Sequence, residues 1–116
     1  MPQPSWVEIT SADQFQQALD ESSERPVVFF KHSLTCPISA RAYSEMNRFM
    51  AQPDQSAVYR IIVVQHARAV SDELAEKLAI EHESPQLVIV HNGKAVWDAS
   101  HFDIDSDSLR DTLSSL

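Results

Sequence analysis

Three apolar runs, Val27 to Phe30, Ile61 to Val64 and Leu87 to Val90, limit the folds open to this chain more than any other feature. Each is four residues long, far short of the ~20 that a membrane span needs, so the runs read as strands of a soluble sheet. Val27-Val28-Phe29-Phe30 has no polar alternation, as expected of a strand covered on both faces in a parallel sheet. The second run belongs to a longer β-branched stretch, Val58 to Val64. After the third come Asn92-Gly93 and then Ala95-Val96-Trp97; Asn-Gly accepts the positive φ angles of a type I′ turn, which predicts a hairpin.

Helical patterns fill the intervals. A short apolar stretch, Trp6 to Ile9, precedes Ser11 and Gln14, which form a capping-box signature, and Ala12, Phe15, Ala18 and Leu19 share one face of the helix that starts there. Pro37 suits a first helical position, which places Cys36 at a helix N-terminus. Ile38, Ala42, Met46, Phe49 and Met50 then recur at helical spacing until Gln52-Pro53-Asp54. A third helix is expected from Ser71, with Asp72 and Glu73 in its first turn, Leu74, Ala75, Leu78 and Ala79 inward, and an end before Ser84-Pro85. Ile104 and Leu109 bracket Asp105 as a hydrophobic staple does, and Leu109, Leu113 and Leu116 form the stripe of a C-terminal helix. The predicted order is βαβαβαββα, an α/β fold.

With 116 residues, 43% of them hydrophobic, the chain reads as one domain, residues 1–116, able to bury roughly two-thirds of its unfolded surface. Nine Lys and Arg stand against 17 Asp and Glu, for a net charge of −8. That field repels phosphate backbones and anionic lipid, so no nucleic-acid and no membrane partner is expected. The segment Met1 to Trp6 has neither the basic stretch nor the apolar run of a signal peptide, and a cytoplasmic monomer is expected. A single cysteine, Cys36, excludes a disulfide within the chain and any multi-cysteine metal site, so a redox role needs a thiol on another molecule.

Cys36 falls just beyond the C-terminal end of an early strand. Ligands of open α/β sheets gather there, and unpaired N–H groups at a helix N-terminus favour the thiolate, the nucleophilic form of the group. A buried structural cysteine is the alternative. Cys36-Pro37-Ile38-Ser39 has Cys-x-x-Cys spacing with a hydroxyl where a resolving thiol would stand, within hydrogen-bonding reach of the sulfur.

Lys31-His32-Ser33-Leu34-Thr35-Cys36-Pro37-Ile38-Ser39, followed by Glu83-Ser84-Pro85-Gln86 before the hairpin and Trp97-Asp98-Ala99-Ser100-His101 after it, resembles the YtxJ-like monothiol bacilliredoxins of the thioredoxin superfamily. The likeness spans nearly the whole chain, and its core, Thr35 to Ser39, is specific to that family; it departs at Phe102, where relatives carry Trp. The resemblance implies a thioredoxin-like fold with a mixed sheet flanked by helices. It also implies an enzyme that removes bacillithiol from S-bacillithiolated proteins, with no bound cofactor and free bacillithiol as co-substrate. Cys36 takes the family's nucleophile position, with Thr35, Pro37 and Ser39 in support. Ser84-Pro85 matches the loop whose cis-proline faces the nucleophile, so that the Ser84 backbone would align an incoming disulfide like an added strand. Dithiol relatives keep a buried acid where this chain has Phe30.

Arg41 and Lys31 are the cations nearest Cys36 in sequence, and are read either as contacts for a thiolate or a thiol's carboxylates or, preferably, as solvated surface charge. His32 is either an imidazolium partner of the thiolate or a histidine at a pocket edge. The five histidines show no ligand-type spacing, so no metal is expected, and Trp6 and Trp97 are read as packing residues. Competing functions are a thiol peroxidase or arsenate reductase, for which Arg41 alone serves poorly, and a non-catalytic thioredoxin-like adaptor that docks a basic partner on its acidic surface.

Overall fold

The computed structural model describes residues 4–116; Met1 to Gln3, part of the N-terminal segment considered above, lie outside them. Along the chain stand β1 (Val7–Glu8), α1 (Ala12–Glu21), β2 (Val27–His32), α2 (Pro37–Phe49), β3 (Val58–Val63), α3 (Arg68–Leu78), β4 (Gln86–His91), β5 (Lys94–Ser100), a 3₁₀ turn (His101–Asp103) and α4 (Ser106–Ser114). This is the βαβαβαββα order expected, closed into one mixed sheet of order β1-β3-β2-β4-β5. Strands β1 and β2 run parallel to β3, and β4 runs antiparallel to β2 and β5. Among the described residues no helix is long and apolar enough to cross a membrane.

The central place of β2, between β3 and β4, explains its unbroken apolar run, since every residue from Val27 to His32 is buried. Alternation divides them. Val28 and Phe30 meet Met46, Phe49, Leu109 and Leu113 on the side of α2 and α4, whereas Val27 and Phe29 meet Phe15, Val70 and Leu74 on the side of α1 and α3. The strand also continues past Phe30 through Lys31 and His32, because both stay paired with β3 and Lys31 with Gln86 of β4.

The local signals set most boundaries. Ser11 Oγ accepts from the Gln14 N–H at 3.2 Å, and Gln14 Oε1 accepts from the Thr10 N–H at 2.7 Å, so the box closes one residue earlier than the usual pair. The Asp105 carboxylate accepts from the Ser108 N–H at 2.8 Å, and Ile104 and Leu109 are fully buried, completing the staple. Asn92 and Gly93 have φ of 54° and 75°, the values the predicted turn needs. Its N–H groups donate to Ser22 O and Oγ at 2.7 and 2.9 Å, tying the hairpin tip to the end of α1.

Helix α3 departs from expectation by opening at Arg68 rather than Ser71, with Ala67 as its uncapped N-terminal residue. Burial of Ala67 and Val70 sets the entry in place of a polar cap, and leaves Asp72 and Glu73 beyond the first turn. Ala12 and Ala79, expected inward, are exposed, and Leu116 lies past α4 with its side chain in solvent.

Candidate active site

Strand β2 delivers the chain to the carboxyl edge of the sheet, where Ser33 to Thr35 turn it into α2. Cys36 is the N-cap of that helix, extended at φ −101° and ψ 123°, half-buried, with its carbonyl accepting from the Ala40 N–H at 3.1 Å. Its side chain makes no capping hydrogen bond, and Pro37 at the start of the helix has no N–H to offer. The first-turn amides of Ile38 and Ser39 therefore face the thiol end without a side-chain partner.

The loop before the thiol is clamped from two sides. Ser39 is fully buried and its Oγ accepts from the Ser33 N–H at 3.0 Å. The sequence places this hydroxyl against the sulfur, but among the described residues no hydrogen bond joins Ser39 to Cys36; the loop amide takes it instead. From the other side the Gln65 carboxamide accepts from the Leu34 N–H at 3.1 Å and donates to Ser33 Oγ at 2.9 Å and Thr35 Oγ1 at 3.4 Å. Sequence reasoning missed Gln65. The available signal was its position as the first polar residue after the Val58–Val64 run, beside the end of β2 in a parallel pair.

Ser84-Pro85 is a cis peptide immediately before β4. Because Gln86 pairs with Lys31, the Ser84-Pro85 loop lies at the same edge of the sheet as the segment that carries Cys36. Pro85 is buried, its carbonyl accepts from the His101 N–H at 3.1 Å, and Ser84 Oγ is buried with no partner among the described residues.

The charges near the thiol are arranged differently from their order in sequence. Arg41 is exposed, but its guanidinium turns to the segment before α4, donating to the Ile104 carbonyl at 3.3 Å and lying 5.7 Å from the Phe102 ring centroid. Lys31, preferred above as surface charge, is fully buried, because alternation along β2 puts it on the Val27 and Phe29 side against α3. Its Nζ lies 2.7 Å from His82 Nδ1 and 3.5 Å from the Ser71 carbonyl. Burial pulls the Lys31 pKa from 10.5 down to about 8, against the opposing pull of Asp72 and Glu83. The His82 pKa is lowered by burial first and by Lys31 second, so Lys31 donates to a neutral imidazole.

His32 is 9% exposed and packs at a tilt against Tyr43 and Phe30, with ring centroids 4.9 and 5.6 Å away. Burial lowers its pKa, with the Ser39 backbone acting the other way, so it is neutral at pH 7 and supplies no imidazolium. The pocket-edge reading describes it better, since it lines a cavity with Trp6, Leu34 and Tyr43. Trp6 also packs on Phe30 and Tyr59, with ring centroids 5.7 and 5.4 Å away. Among the described residues no three His, Cys, Asp or Glu side chains converge as metal ligands would.

A mixed sheet with helices on both faces, one thiol at the helix start after β2 and a cis-proline loop on the same edge define a single-cysteine oxidoreductase of thioredoxin fold. Residues 7–109 match the family described as monothiol bacilliredoxin BrxC, and the chain belongs to that family. It is a monothiol thiol-disulfide oxidoreductase. Among solved structures it is similar to a proposed oxidoreductase with a thioredoxin fold, at 40% identity and a TM-score of 0.80 over 91% of each chain. Thioredoxins share the fold at lower identity. The Malassezia sympodialis protein is 18% identical with a TM-score of 0.75, covering 99% of this chain and 93% of that one. A mutant thioredoxin from Halobacterium salinarum is 18% identical with a TM-score of 0.74, covering 99% of this chain and 94% of that one.

Proposed function

We propose that this chain removes bacillithiol from S-bacillithiolated protein cysteines, with Cys36 as the nucleophile. The Cys36 thiolate attacks the bacillithiol sulfur of a protein mixed disulfide, the protein thiolate leaves and takes a proton from solvent, and bacillithiol stays on Cys36. A second bacillithiol thiolate then attacks that bound sulfur, releasing Cys36 and bacillithiol disulfide. Bacillithiol is thus a co-substrate, and no cofactor is held between turnovers. The observation that carries this reading is the pairing of a lone helix-start thiol with Ser39 at the resolving position, which leaves the adduct no exit from within.

The supporting roles follow from position. Thr35 and Ser39 hold the loop, Pro37 removes a competing N–H beside the sulfur, and the backbone of Ser84 before Pro85 aligns the incoming disulfide. Arg41, exposed near the start of α2, is the cation available to carboxylates of the thiol or its protein, and His32 meets the thiol from the neighbouring cavity. The chain works as a single thioredoxin-like domain, a cytoplasmic monomer whose partners are S-bacillithiolated proteins and free bacillithiol.

Mass spectrometry after one equivalent of a bacillithiolated protein tests the cycle. The expected product is the chain with one bacillithiol on Cys36, cleared by added bacillithiol. A folded protein that never acquires the adduct would show the transfer to be wrong.

A further inference from the structure

On the α2 side of the sheet, Trp6, Glu8, His32, Tyr43 and Val63, with Leu34 of the loop that leads to Cys36, line a cavity of about 460 Å³. A volume of this order is ordinary for a small-molecule site. Two of these residues carry buried polar atoms that have no hydrogen-bond partner among the described residues, Trp6 Nε1 and His32 Nδ1, and His32 is only 9% exposed. Buried polar atoms are nearly always bonded, so two orphans among the residues of one cavity call for an explanation. A bound molecule would supply the missing partners.

The cavity is also within reach of the sulfur. Leu34 precedes Cys36 by two residues, which holds their Cα atoms within about 7 Å. Tyr43 lies on the same face of α2 as Cys36 and Ala40, about 10 Å along the helix. A molecule bonded to Cys36 through sulfur and extending down that face arrives at the cavity mouth.

We propose that this cavity receives the body of the small thiol while its sulfur is bonded to Cys36, and that the part it fits is an uncharged, hydroxyl-bearing ring. The proposal rests on the reading of Cys36 as the thiol carrier. Trp6 Nε1–H can only donate and needs an acceptor, and a neutral His32 complements a hydroxyl in either tautomer. The faces of Trp6, His32 and Tyr43 offer aromatic surface to the C–H side of a ring. None of the lining residues is Lys or Arg, and Glu8 at the rim, 2.7 Å from His66 Nδ1, turns away anions, so any carboxylate of the ligand stays in solvent. Both orphaned atoms are covered in the free protein, so each ring must turn for its nitrogen to reach the ligand.

Two adducts on Cys36 test this in ¹⁵N-labelled protein, one made with bacillithiol disulfide and one with methyl methanethiosulfonate, which forms the same linkage without a body. The Trp6 indole N–H resonance should shift in the bacillithiol adduct and hold in the methyl adduct, with Trp97 unmoved in both. Trp6→Phe should raise KM for a bacillithiolated substrate about tenfold with little change in kcat. An indole resonance that is the same in both adducts overturns the cavity assignment while leaving the transfer reaction standing. If the methyl adduct forms and the bacillithiol adduct does not, both readings fall.

Discussion

With serine at position 39, a mixed disulfide on Cys36 has no internal thiol to expel it, and it persists until an external thiol arrives. Ser39→Cys places a thiol one helical turn away, at an effective concentration that dilute free thiol cannot match. After one equivalent of bacillithiolated substrate the variant should release bacillithiol unaided and weigh two hydrogens less than its reduced form, whereas the wild type keeps the adduct. The same change removes the acceptor of the Ser33 N–H, so the reduced variant should also lose about 1 kcal/mol in urea denaturation. Gln65 acts on the loop from outside the helix and is itself exposed. Gln65→Ala should slow adduct formation on Cys36 roughly fivefold, the equivalent of about 1 kcal/mol in the barrier, with a nearly unchanged denaturation midpoint. Stopped-flow thiolation and denaturation run on the same sample separate the two effects.

At the scale of single elements, two local devices carry measurable stability. The Asp105 carboxylate holds the first turn of α4 through the Ser108 N–H and Oγ, at 2.8 and 3.0 Å, and α4 covers Met46 and Phe49 with Leu109 and Leu113. Asp105→Ala should cost about 1 kcal/mol, as losses of such caps do, read as a lower urea midpoint at constant slope. Gly93 stands at φ 75°, where a Cβ would meet nothing within 4 Å, so Gly93→Ala tests backbone conformation alone. It should cost about 1 kcal/mol. A larger loss would mean that the hydrogen bonds between the turn and Ser22 had broken as well.

For the whole molecule, the buried bases give stability a defined pH dependence. Lys31 titrates near 10.5 when unfolded and at about 8 when folded, so between those values the unfolded chain binds the extra proton and stability rises with pH. Below about 8 the cost of burying the ammonium is fully present. Burial raises the Tyr59 pKa, and since the unfolded phenol ionises near 10.0, stability falls above that pH; the Lys31 effect is therefore read between about 8 and 10. Lys31→Met should flatten that rise. His32 and His82 have lowered pKa values, and the unfolded chain takes up their protons first as pH falls through 6.5, so stability should decline below that point. Denaturation curves from pH 5 to 10 for wild type and variant check both limbs: an equal rise in the two proteins between pH 8 and 10 would show that Lys31 is not its source.

Neighbouring residues carry the local part of the fold: the strands in their apolar runs, the hairpin in Asn92-Gly93, α1 and α4 in Ser11 and Asp105, and the thiol at a helix start in Cys36-Pro37. These signals act within a turn of helix or a strand, where the partners of each backbone group are a few residues away. The tertiary structure alone decided what joins distant segments. Lys31 meets His82 across 51 positions and Gln65 meets Leu34 across 31, contacts that exist because β2 lies between β3 and β4. Ser39 was visible as the residue in the resolving position, yet the donor that its hydroxyl satisfies was not, because the bend that brings the Ser33 amide to it is itself held by Gln65 at the end of β3. Even the start of α3 followed burial of Ala67 and Val70 rather than the polar cap and acidic turn that local pattern favoured at Ser71. Local propensities differ by about 1 kcal/mol or less, and burying one apolar side chain outweighs them, so boundaries yield to packing wherever the two disagree.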